Sequence, residues 1–195
     1  MASTSPEIGG ANEFPDDPFW DFSLATYLRP GVAPVCLGLQ GRHDIDVNMV
    51  LFCCWVGASG GGILNGAEMN AALAAARPWQ RDVVVPLRSL RQDLKGSGEE
   101  GEKYRQQIAA TEIDAEHAEQ LLISATWTRP PDLARNEDLW ISDACANLRR
   151  YFEVLDLTPD DRDLPDLAIL LGGAFPHHNR PDMPAIVEKE LFSKT

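Results

Sequence analysis

The chain has 195 residues, 44% of them hydrophobic and 24% charged, which is enough for one ordinary core and excludes a wholly disordered protein. Its formal charge of -13, from 30 acidic residues against 17 Lys and Arg, opposes broad binding to nucleic acid or anionic lipid. No apolar run approaches the roughly 20 residues of a membrane span, and the opening MASTSPEIGGANEFPDD lacks the positive segment and apolar run of a secretory signal, so the expectation is a cytoplasmic protein with no membrane partner.

Residues 1–15, rich in Ser, Gly, Pro and acid, are expected to be disordered ahead of a helical domain at 16–157. Asp17 and Pro18 form an N-cap and first-turn pair for a helix through FWDFSLATYLRPG. Trp20, Leu24 and Tyr27 share one face of it while Phe19 and Phe22 form a second, so it should meet more than one neighbour. Pro30 and Gly31 break the chain before a second helix over 32–42. Asp46 then caps VNMVLFCCWVG, in which only Asn48 is polar between Val47 and Val56. A helix apolar on every side must be enclosed, so this one is placed at the centre of the domain. Cys36, Cys53, Cys54 and Cys145 fall among apolar residues without metal-binding spacing and are expected as buried free thiols.

The glycines of GASGGG at 57–62 suit a helix stop and a mobile connection; no Lys-Ser or Lys-Thr pair follows to make a phosphate loop. Asn65 and Glu68 form a capping box for an alanine-rich helix that Arg77 and Pro78 should end. Trp79, Val83, Leu87, Leu90 and Leu94 make 78–95 amphipathic, with a kink expected at Pro86. Beside that apolar face runs a basic stripe of Arg77, Arg81, Arg88, Arg91 and Lys95. A long helix over 102–127 comes next, with Tyr104, Ile108, Ala115 and Leu122 as its apolar line and Glu112, Glu116 and Glu119 as an acidic stripe. Another spans 137–155, and 158–195 reads as a weakly structured tail with a short helix at 164–175. Nothing alternates as a strand. The expected fold class is all-α, a single compact domain of about six or seven helices around the central one.

The blocks FWDFSLATYLRPG at 19–31, DVNMVLFCCW at 46–55 and PLRSLRQDLK at 86–95, with Glu112, Glu116 and the later AEQ, resemble a family of small bacterial all-helical proteins of unknown function. The resemblance covers 18–155. It implies a bacterial cytosolic helical domain and carries no chemistry.

The residues themselves give no catalytic signature and call for no cofactor. Glu116 has no His at 119 and no second Glu-x-x-His exists to complete a bundle metal site, so Glu112, Glu116 and Glu119 are assigned no metal. His43, Asp44 and Asp46 sit where a helix begins and read as capping; His177 and His178 lie in the tail. Asn48 shares a face with Phe52 and Trp55, so its amide should be buried and hydrogen-bonded. Trp20, Tyr27, Trp55, Trp79 and Trp140 read as core before they read as pocket. The leading functional reading is a non-catalytic module that binds another protein through the basic stripe or the tail. The alternative is a binder of a small anionic ligand at Arg88 and Arg91, and the third is an enzyme using Glu112 and Glu116 as acid and base. The candidate residues are thus Arg81, Arg88, Arg91, Glu112, Glu116, Glu119 and Asn48. The simplest arrangement pairs the two charged stripes across antiparallel helices; a deep pocket lined by them would favour a ligand or an enzyme over a protein partner.

Overall fold

In the computed structural model, which describes residues 14–130, 132, 136, 139–178 and 182–192, the regular elements are helical and no strand occurs among the described residues. They run α1 (Pro18–Tyr27), α2 (Val32–His43), α3 (Val47–Ala58), α4 (Gly66–Trp79), α5 (Val85–Asp93), α6 (Gly98–Ser124), α7 (Trp140–Val154), α8 (Asp163–Ala174) and α9 (Met183–Val187). The all-α class is as the periodicities require. Of the segment expected to be disordered, residues 1–13 lie outside the described residues, as does the expected helix start at 137.

Helix α3 is the hub. Asp46 starts it by accepting the Asn48 amide hydrogen on Oδ1 at 2.8 Å. Because every face of the helix is apolar, each needs a neighbour, and α3 packs on α1, α2, α4, α6, α7 and α8. Met49, Phe52, Cys53, Cys54 and Val56 are fully buried, and all four cysteines are buried and free. Helix α7 lies along it most closely at Gly57, where a Cβ would stand 2.8 Å from both Trp140 O and Ala144 N. Only glycine admits that approach.

The glycine stretch after α3 is not the mobile connection expected. Gly60, Gly61 and Gly62 are buried, and Gly60 and Gly62 hold left-handed φ values of +75° and +72°. Asn147 of α7, itself fully buried, clasps the turn: its Oδ1 accepts Leu64 N at 2.7 Å and its Nδ2 donates to Gly62 O at 3.1 Å and Cys53 O at 3.3 Å. The glycines are there for close packing and turning.

The expected helix stop at Arg77 and Pro78 does not occur, since α4 runs through Pro78 to Trp79. The proline is exposed, as is Ala74 whose carbonyl loses its partner, so water can satisfy that oxygen. A π-helical turn over 80–84, with Val85 N bonded to Gln80 O, then joins α4 to α5. It ends two residues before Pro86, which has no amide hydrogen for the regular bond to residue 82, and its wider turn shifts the register of α5 relative to α4.

The apolar line expected on α6 is also corrected. Tyr104 is 62% exposed and Leu122 42% exposed, while the buried residues of α6 are Glu112, Ala115, His117, Glu119, Gln120 and Ile123. After 157 the short helix expected at 164–175 is α8, and α9 follows in the stretch expected as a tail. Helix α8 is clamped to the end of α2 by Arg42 and His43, whose Nη2 and Nε2 each reach Asp163 Oδ1 at 2.9 Å. Met183 and Val187 of α9 are buried against the core. A helix of five residues such as α9 is too short to show a period, yet its two buried side chains seat it on a surface that is already formed.

Candidate functional site

A cleft of about 1190 Å³ opens between α1, the α2–α3 junction and the facing wall of α4, α5 and α6. The face of α1 that carries Trp20, Leu24 and Tyr27 forms one side of it, while Phe19 of the second face enters the core. The two stripes of α1 thus have different neighbours, one protein and one cleft.

On the opposite wall α5 and α6 bring the charged stripes together. Glu112, only 5% exposed, accepts Arg88 Nε at 3.0 Å and Arg91 Nη2 at 3.2 Å on the same Oε1, while its Oε2 accepts Arg91 Nε. Arg88 also donates from Nη2 to Glu116 Oε1 at 2.8 Å. Burial would raise the Glu112 carboxyl, but the Arg91 and Arg88 hydrogen bonds and charges together hold it below the ordinary carboxylate range. Glu116 goes the other way. Burial pushes it up, and the Glu112 and Asp46 charges add to that against the opposing pull of Arg88.

Arg81 is not part of this pairing. It lies at the mouth of the cleft, bonded to its own neighbour Asp82, because the π-turn between Arg81 and Arg88 breaks the register that would align them. Glu119 pairs with no arginine either. It is fully buried, and its Oε2 accepts Asn48 Nδ2 at 2.7 Å. Asn48 Oδ1 in turn accepts Gln120 Nε2 at 2.7 Å, so the expectation of a buried, satisfied amide is met by two α6 side chains.

The Asp46 and Glu119 carboxyls lie close enough for each to shift the other's titration, and two buried carboxyls side by side favour holding a proton on one of them. Burial and then the Asp46 charge push Glu119 up to about 9, and burial raises Asp46 as well. Asp46 N donates to Tyr151 Oη at 3.0 Å from α7. Asp46 and Gln120 were not among the sequence candidates for a site: the first reads as a cap and nothing more, the second as one amide among charges. The usable signal was position, since Gln120 stands one turn beyond Glu116.

His117 points away from this network into a sandwich between Phe14 and Trp20, at 4.2 and 4.3 Å between ring centroids. Among the described residues no group of three or more His, Cys, Asp or Glu is placed to hold a metal, and no helix is long and apolar enough to cross a membrane.

A family match covers residues 18–123, more than half of the chain, from α1 to the end of α6. The chain belongs to the family described as protein of unknown function (DUF2390). That span contains the whole charged wall and every cleft-lining residue except Tyr151 and Leu155. No curated protein and no solved structure matches the chain.

Proposed function

We propose that this protein binds a small anionic ligand in the cleft, with Arg88 and Arg91 as the groups that receive its charge. The observation that carries the reading is the cleft itself: about 1190 Å³ of concave space bordered by aromatic side chains, with two guanidiniums oriented by Glu112 on its wall. Each arginine keeps an Nη1 that donates to no residue in this network, and a planar guanidinium fixed by one carboxylate is prepared to bind a second oxyanion. Packing alone does not call for such a space.

The test is retention of a ligand. The full chain is purified from an expressing cell under native conditions, denatured, and the released small molecules are measured by mass spectrometry, with Gly41→Trp as the control. Gly41 lines the cleft and a Cβ there meets nothing within 4 Å, so a side chain added at this position starts in open space and occupies part of the cleft. A small acid recovered in stoichiometric amount from the unmodified protein and lost from Gly41→Trp supports the reading. If nothing is retained, and a panel of carboxylates and phosphates leaves thermal stability unchanged, the reading fails. The protein-partner reading has one support at the same mouth, the exposed Leu24, Leu37, Val85 and Ile113, and recovery of a peptide in place of a small acid decides for it.

A further inference from the structure

The α3–α6 end of the cleft is short of hydrogen-bond donors. Asp46, Glu116 and Glu119 gather there, and the one cation hydrogen-bonded to any of them among the described residues is Arg88, which Glu116 shares with Glu112. Two further lone-pair groups stand with them. Gln120 lines the cleft and is 2% exposed, with no partner for its Oε1; Ser23 lines it from α1 and is 3% exposed, with no partner for its Oγ. Buried oxygens are ordinarily partnered, and an unpaired one costs stability. Trp20 and Tyr27, one turn to either side of Ser23, also line the cleft, and aromatic side chains favour a cation.

We propose that this end of the cleft takes a protonated amine, so that the ligand is a zwitterion with its ammonium against Glu116, Asp46 and Gln120 and its anionic group at Arg88 and Arg91. The charges alternate along the wall in the order Arg91, Glu112, Arg88, Glu116, so a ligand whose two groups are separated by a few bonds meets complementary partners side by side. An ammonium supplies up to three donors and one positive charge where the protein has acceptors to spare. The high Glu119 value supports the same balance, since a carboxyl that must hold its proton is one that lacks a nearby cation. This inference rests on the anionic-ligand reading and narrows its class.

Three probes with one ring and similar chain separate the charges: phenylalanine, phenethylamine and 3-phenylpropionate, titrated into the full chain by calorimetry. Phenylalanine should bind tightest, and phenethylamine should bind measurably. Glu116→Gln should weaken both by at least about tenfold and should not weaken 3-phenylpropionate, whose carboxylate meets Arg88, with Glu116→Asp restoring part of the loss. If 3-phenylpropionate binds as well as phenylalanine, or if Glu116→Gln does not affect the amines, the amine site is overturned while the anionic reading stands. If no probe binds, the amine site is also overturned, and the anionic reading is judged by the retained-ligand experiment. The ranking of the probes on the unmodified protein decides the question even where a variant fails to fold.

Discussion

Replacing Glu119 by Gln tests the retained proton directly. The Glu119 side chain is fully buried and accepts Asn48 Nδ2 on Oε2; burial and the charge of the neighbouring Asp46 move it from an ordinary 4.5 to about 9. At pH 7 it is a neutral acid in the folded protein. A group whose folded pKa lies above its unfolded value contributes stability that is fully present below the unfolded value and lost as pH rises through the folded one. Here the window is 4.5 to about 9. Within it the unfolded chain releases a proton that the native state keeps, so stability falls by about 1.4 kcal/mol per pH unit, or about 4 kcal/mol between pH 5 and pH 8. Glutamine has the shape of the neutral acid, can accept from Asn48, and does not titrate. Glu119→Gln should therefore be close to neutral at pH 5 and stabilising by about 3 to 4 kcal/mol more at pH 8. The assay is urea unfolding of both proteins across that range, with the difference in unfolding free energy plotted against pH. Asp46 and Glu116, raised in the same direction, enter both curves, so the difference reports Glu119 together with the change that its loss makes in Asp46. A flat difference would mean an ionised Glu119 in the native state and would refute the retained proton.

Arg91 and Glu112 should show a coupling of about 1 to 2 kcal/mol in a double-mutant cycle read by thermal unfolding, above the 0.2 to 1 of exposed pairs, because Glu112 is almost fully buried. Coupling under about 0.3 kcal/mol would count against it. Asn147→Ala should cost about 2 to 4 kcal/mol and lower Tm by at least about 5 °C, since it leaves Leu64 N and Gly62 O without their Asn147 partner in a buried turn; calorimetry showing a fall of under about 2 °C would contradict the clasp. Burial pushes the Cys36 and Cys145 thiols up to about 12, and Cys53 and Cys54 are raised as well. A thiol reagent at pH 8 should thus find none of the four in the folded protein and all four after unfolding, and prompt labelling of the native state would overturn the buried assignment.

What was legible in the sequence was what is decided locally or by apolarity alone. Asp17, Asp46 and Asn65 cap their helices by bonds to amides two or three residues on, and the run from Met49 to Val56 has no polar side to turn outward. The interior of α6 was not legible, because a helix is read by its apolar line and this one buries Glu112, Glu119 and Gln120. Tyr104, on the expected line, is largely exposed even though the spacing of that line is correct. The π-turn was equally hidden, since Pro86 announces an irregularity without saying which turn absorbs it, and that choice moved Arg81 off the face of Arg88. Arg88 and Arg91 still met Glu112 and Glu116 as the facing stripes suggested, because no irregularity lies between them in α5 or α6. The candidate site was therefore legible in part: Arg88, Arg91, Glu112 and Glu116 were read, while Asp46 and Gln120 were not. Apolar side chains on that face of α6 would pack at least as well without the cost of desolvating carboxylates, so a helix that turns Glu112, Glu116 and Gln120 towards an open cleft gives up stability for something other than packing. That imbalance, more than the size of the cavity, is the physical reason to look for a ligand there.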